Sequence, residues 1–162
     1  MLDLDRFRQA QAISHGGYAD ALRELEAGEK TGHWIWYVFP QLAGLGRSST
    51  AVYYGLAGTE EAAAYLRDPV LGERLVATAA AAQAHLAGGK NASARLAGLM
   101  GSEIDALKLV SSMTLFEHVA RTLHAVDPQP RFAAMAAHAE AILAAAAAQG
   151  YPRCAYTVAQ LR

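Results

Sequence analysis

Cysteine is almost missing from this sequence of 162 residues: Cys154 stands alone, which excludes an intrachain disulfide and any multi-cysteine metal site. A reducing compartment suits that usage, and a cytoplasmic location is the expectation. Net charge is almost missing too, with 14 Lys and Arg against 15 Asp and Glu. General nucleic-acid binding is therefore not expected, because phosphate neutralisation by a basic field supplies most of that affinity. Long apolar runs are also lacking. The longest, Ala141 to Ala148, falls well short of a bilayer span, so no membrane partner is expected. The opening Met1-Leu2-Asp3-Leu4-Asp5-Arg6 carries acids where a secretion signal needs an apolar stretch. The 6 histidines, at 15, 33, 85, 118, 124 and 138, make no His-Glu-x-x-His spacing. Neither a metal nor another cofactor is expected. Glu117-His118 and His124 are expected at the surface, and Cys154 in the tail is not expected to be a catalytic thiol.

What the chain has in quantity is alanine, densest from Ala133 to Ala148, the residue with the strongest intrinsic helix preference. Leu4, Phe7, Ala10 and Gln11 recur at helical spacing behind Asp3, which predicts a first helix capped by that aspartate. Tyr18 to Ala27 predicts a second helix, stopped by Gly28. Further helices are predicted near Ser49–Leu56 and, with Thr59 as cap, over 60–67. Asp68-Pro69 places aspartate at a cap and proline at a first helical position, opening a helix expected to reach Gly88-Gly89. A short turn of helix near Ala92–Leu99 follows, then a long helix from Ser102 to about His124. Asp127-Pro128-Gln129-Pro130 reads as a linker before a last helix ending at Gly150. No solenoid repeat is present. The reading is all-α: an irregular multi-helical single domain of about seven helices. Its parts are a helical core over 1–126, an alanine-rich helix over 130–150 and a docked coil or short helix over 151–162.

Three segments carry chemistry. Gly28 to Leu42 holds both tryptophans, Trp34 and Trp36, beside Lys30, His33, Phe39 and Gln41. Such a cluster either walls a pocket that stacks on a planar ring or anchors an irregular connection to the core. Gly44-Leu45-Gly46-Arg47-Ser48-Ser49 runs into a helix. It reads as a place where backbone amides and Arg47 accept a phosphate or carboxylate, or as a plain turn with a capped helix. In the long helix, Asp105, Lys108 and Ser112 (or Ser111) stack at i, i+3 and i+7 between apolar flanks. That stripe lines a water-filled pocket or forms a solvated ion pair.

These residues also resemble a known family. The pattern Phe7-x-x-Ala10-Gln11, Gly28-x-Lys30-x-x-His33-Trp34-x-Trp36-x-x-Phe39-Pro40-Gln41-Leu42, then Asp105-x-x-Lys108-x-x-Ser111-Ser112-Met113-Thr114-Leu115-Phe116 resembles the bacterial domain of unknown function 1810, some members of which carry the label calpastatin. Gly32 departs from the serine of many relatives. The resemblance spans residues 3 to about 120 and implies a multi-helical domain. The Phe7-to-Gln11 segment and the aromatic-lined helical character also resemble the NADAR proteins, which act on NAD-derived ADP-ribose conjugates. That likeness implies a pocket for a nucleotide-like ligand, with hydrolysis of an N-glycosidic bond in an ADP-ribosyl or NAD-derived compound as its chemistry. Asp105 would then orient water or stabilise developing positive charge, with Lys108 and His33 hydrogen-bonding. Lys30, Trp34, Trp36, Gln41, Ser111 and Ser112 would line the pocket, and Gly46, Arg47 and Ser48 would take the phosphate. The alternative is a non-enzymatic helical module that binds a protein or a metabolite.

Overall fold

The structure, a computed structural model, describes residues 3–86 and 95–161. Those residues form ten helices: α1 (Asp5–Ala12), α2 (Tyr18–Ala27), α3 (Ile35–Val38), α4 (Ser49–Tyr54), α5 (Thr59–Arg67), α6 (Pro69–Leu86), α7 (Leu96–Met100), α8 (Glu103–Val126), α9 (Pro130–Ala148) and α10 (Ala155–Gln160). They make one all-helical domain. Among the described residues no strand forms; Leu42 and Leu56 share a single parallel bridge.

The count exceeds the seven or so predicted chiefly through α3, a helix of 4 residues, and through the tail, where the coil or short helix expected is the 6-residue α10; the short α4 and α7 fall near predicted segments. Two turns or fewer leave no periodic pattern to detect. Two caps also differ. Leu4, not Asp3, precedes α1, and Thr59 is the first residue of α5 behind Gly58. The Asp68-Pro69 start holds: one Asp68 carboxylate oxygen accepts from the amides of Val70 (3.0 Å) and Leu71 (2.9 Å). The predicted Gly88-Gly89 stop and the Ala92 start lie outside the described residues.

Helix α8 is the axis of the domain. Ser102 caps it, its hydroxyl oxygen accepting from the Asp105 amide at 3.1 Å, and it is buried nearly all round from Leu109 to Phe116. Helix α9 packs along α8 and α6, and α5, α7 and α10 close the other sides of α8. Of the described helices, α9 alone is long and apolar enough to cross a membrane. Here it sets Phe132, Met135, Ala139, Ile142 and Ala146 into the core, a stripe at helical spacing. Its alanines let neighbouring backbones approach closely, so the alanine-rich segment is part of the core and not an appendage.

One surface expectation is corrected. Glu117 is buried, its carboxylate gripped by Arg153 through bonds of 2.5 and 3.2 Å, whereas His118 beside it is exposed. The pair fastens the tail to α8. A buried carboxylate needs such a partner, and the partner lies in a segment without pattern of its own.

Candidate functional site

The site begins where α2 stops. Gly28 adopts φ of +87°, a left-handed conformation that turns the chain off the helix, and the Glu29 amide donates back to Glu24 at 3.0 Å. The returning loop is fixed at three points. The Lys30 amide donates to the Leu99 carbonyl at 2.8 Å. The Glu24 carboxylate accepts from the amides of Thr31 and Gly32 (both 2.7 Å) and from the Trp34 indole at 3.0 Å. Burial pushes Glu24 up, but those donors outweigh it and hold its carboxyl below the ordinary value. Finally, the Lys30 ammonium donates to the Gly32 carbonyl, sits 5.0 Å over the Trp34 ring and pairs with Asp105 at 2.7 Å.

Lys30 and Trp34 therefore face inward. The Lys30 side chain is only 5% exposed and Trp34 is fully buried, so these two brace the loop and present no surface to a ligand. Helix α3 then turns Trp36 outward, half-buried, with the Lys108 ammonium 5.0 Å from its ring centroid. Lys108 lies 3.8 Å from the second Asp105 oxygen. One carboxylate thus stands between two lysines, and the cluster keeps a net positive charge on its outer member.

Two clefts adjoin the Trp36–Lys108 pair. The first, about 520 Å³, is an open aromatic shelf bounded by His33, Trp36, Tyr37, Tyr53 and Tyr54 with Ser49 and Thr50 at its edge. The second, about 480 Å³, runs along the start of α8, where Lys108, Ser111, Ile104 and Leu107 face the tail residues Pro152 to Ala155, with Gln41 and Leu45 at one end. Its walls are mostly apolar. Ile104 and Leu107 are 66% and 51% exposed, unusually open for large aliphatic side chains in one groove.

Of the residues singled out from sequence, Lys30, Trp34, Trp36, Asp105 and Lys108 come together. Gln41 and Ser111 line the second cleft, and His33 lies on the shelf across Trp36. Ser112 is fully buried inside the helix packing. Gly46, Arg47 and Ser48 line neither cleft; Ser48 spends its hydroxyl capping the six-residue α4, accepting from the Ala51 amide at 3.1 Å. Sequence reasoning missed Glu24, Arg153 and Cys154. The Cys154 thiol is half-buried and accepts from the Thr157 hydroxyl at 3.2 Å. Burial pushes it up, but the neighbouring Ser111 and Thr157 hydroxyls and the amides of Thr157 and Tyr156 hold it below its ordinary value. No spacing signal ties this tail to α8; only the fold brings them together. Among the described residues no group of three or more His, Cys, Asp or Glu is arranged to hold a metal ion.

Residues 1–137 match the family described as "Protein of unknown function (DUF1810)". The chain belongs to this family. Its fold is similar to the crystal structure of the conserved hypothetical protein Rv1873 from Mycobacterium tuberculosis, at 37% identity and a TM-score of 0.70, over 98% of this chain and 95% of that one. No protein of curated function matches. The DUF1810 match ends within α9, so the Lys108 wall of the second cleft belongs to the family segment while the Arg153–Cys154 wall lies beyond it.

Proposed function

We propose that this chain is a helical binding module that holds a small organic anion in the cleft beside Lys108. The observation that carries this is the placement of Lys108. Its ammonium opens on a cleft of about 480 Å³, a size typical of small-molecule sites, while the nearest carboxylate, Asp105, is already engaged by Lys30 at 2.7 Å. The Trp36 ring beside the ammonium fixes its direction and removes part of its water.

A second reading is supported by the aromatic shelf. A nucleotide-like ligand would lay its base against Trp36 and Tyr53 and direct its phosphate to Lys108. Hydrolysis of an N-glycosidic bond in an ADP-ribosyl or NAD-derived compound is less favoured than binding alone. Such chemistry needs Asp105, Lys108 and His33 to converge on one concave site. Asp105 sits between two lysines outside the lining of either cleft, and His33 lines the aromatic shelf but not the second cleft.

Cys154, the single thiol, lines the cleft and reports occupancy directly. Organic anions should slow its alkylation by iodoacetamide and raise the melting temperature, and both effects should vanish in Lys108→Met. NAD and ADP-ribosyl compounds should be recovered intact. If no anion protects Cys154, or if protection is equal in Lys108→Met, the binding reading is wrong; release of nicotinamide or free ADP-ribose would restore the hydrolytic one.

A further inference from the structure

The walls of the second cleft specify which kind of anion it takes. Charge comes first. Lys30 and Asp105 neutralise each other at 2.7 Å, which leaves Lys108, 3.8 Å from the second carboxylate oxygen, as the excess cation of this cluster among the described residues. Arg153 lines the same cleft but adds no excess charge, because both of its terminal nitrogens are bound to Glu117 at 2.5 and 3.2 Å. Arg121, the other partner of Glu117, is in turn paired with Glu140 at 3.0 Å. One positive charge matches one negative charge. A pyrophosphate would leave its second charge against aliphatic side chains, where burial without a counter-charge is unfavourable.

The rest of the cleft asks for apolar cover. Ile104 and Leu107 stand on the first turns of α8, more than half exposed, and share the groove with Pro152, Ala155, Val110 and Leu45. Apolar surface of this extent in one groove is stabilised when a ligand displaces water from it. Trp36 holds the ammonium at one edge of this surface, and Gln41 contributes an amide within the same lining.

We infer that the cleft recognises a monocarboxylate with an apolar body: the carboxylate pairs with Lys108, and the body lies between Ile104–Leu107 and Pro152–Ala155. The inference rests on the anion-binding reading above and narrows its ligand. Octanoate is the direct probe, with 1-octanol as its uncharged counterpart and AMP and ADP-ribose as phosphate-bearing competitors. The readouts are protection of Cys154 from iodoacetamide and the melting temperature. Octanoate should protect at concentrations at least about tenfold below octanol, the ratio a charge-assisted bond commonly supplies. Lys108→Met should bring octanoate and octanol level. Leu107→Asn, at a position 51% exposed, removes apolar surface without adding charge and should abolish octanoate protection while the apo melting temperature changes little.

If AMP or ADP-ribose protects at lower concentration than octanoate, and does so only with Lys108 present, the cleft binds anions but the monocarboxylate inference is overturned. Equal protection by octanoate and octanol in the unmodified protein also overturns it, since the charge then contributes nothing. If none of the anions protects and Lys108→Met behaves like the unmodified protein, both this inference and the binding reading fall together.

Discussion

Lys30 and Asp105 meet at 2.7 Å with side chains only 5% and 17% exposed, joining the loop after α2 to the first turn of α8. The position suits both partners. The first turn of a helix favours a carboxylate through its free amides and dipole, and Lys30 has few alternatives once its loop is pinned by Glu24 and Leu99. The relationship makes Asp105 an organising residue before it is anything else.

Asp105→Asn should therefore unfold more easily, because it leaves the buried Lys30 ammonium without its counter-charge. Removing one member of a buried pair typically costs about 3–5 kcal/mol, which shifts the melting temperature of a domain this size by on the order of ten degrees. Replacing both residues together, Lys30→Met with Asp105→Leu, should recover much of the loss. An unchanged melting curve for Asp105→Asn would show that the pair is not structural.

Gly101 is the second fastening of the same loop. It adopts φ of +81°, and a Cβ there would lie 2.7 Å from the Lys30 carbonyl oxygen. Gly101→Ala should lose at least about 1–2 kcal/mol from the left-handed backbone alone, and more from the contact with Lys30. Chemical denaturation measures it. A stability equal to that of the unmodified protein would mean that the loop moves aside without cost.

The legibility of this chain in its sequence follows from what each residue signals locally. The Asp68-Pro69 start, the Gly28 stop and the Ser102 cap were readable because each acts through bonds to neighbours a few residues away. The Asp105–Lys108 stripe was readable from spacing, but its meaning was not, since Lys30 reaches Asp105 only through the fold. Trp34 and Trp36 look alike in sequence, two positions apart. The single turn of α3 sends one into the core and the other to the aromatic shelf beside Lys108. The tail gave no pattern because its anchors, Arg153 to Glu117 and Tyr156 to the Ala43 carbonyl, are individual long-range bonds rather than a periodic face.

Glu24 should make stability depend on acid. Burial raises its carboxyl, but the Gly32 and Thr31 amides and the Trp34 indole win and hold it below the ordinary 4.5. A depressed carboxyl contributes stability that is complete above the unfolded-state value and is lost as pH falls through the folded-state value. Denaturation midpoints followed from pH 6 downward should decline below about 4.5, and Glu24→Gln should flatten that decline while being less stable at neutral pH. An identical acid limb in the variant would rule out this linkage.

His138 should act in a higher window. Burial between α9 and α6 pushes its imidazole below the ordinary 6.5, and its Nδ1 lies 2.5 Å from the Gln83 side-chain oxygen. The unfolded chain then takes up a proton that the folded one resists. Stability is intact above 6.5 and is lost progressively as pH falls from there through the folded-state value. His138→Gln should show a shallower loss between pH 7 and 5. A slope equal to that of the unmodified protein would place the titrating group elsewhere.

The two tryptophans offer the sharpest separation of fold from function. Trp34 is fully buried, packs against Phe39 with ring centroids 6.2 Å apart and gives its indole N–H to Glu24. Trp34→Ala should lose about 3–5 kcal/mol, the usual consequence of emptying a core aromatic site, and should leave the Glu24 carboxylate short of one donor. Trp36 is half-buried and touches Lys108 through its ring face at 5.0 Å. Trp36→Leu keeps an apolar side chain at the rim, so its folding stability should change by no more than about 1 kcal/mol, the scale of an exposed cation–π contact. Its effect belongs in the clefts. Without the ring the Lys108 ammonium is better hydrated and freer in direction, so octanoate should protect Cys154 less well even though every residue of the second cleft is still present. Melting curves and alkylation rates measured side by side on the two variants test this division. A Trp36→Leu protein as unstable as Trp34→Ala would make both residues core anchors. A Trp36→Leu protein with full stability and undiminished protection would remove Trp36 from the site and leave Lys108 to act alone.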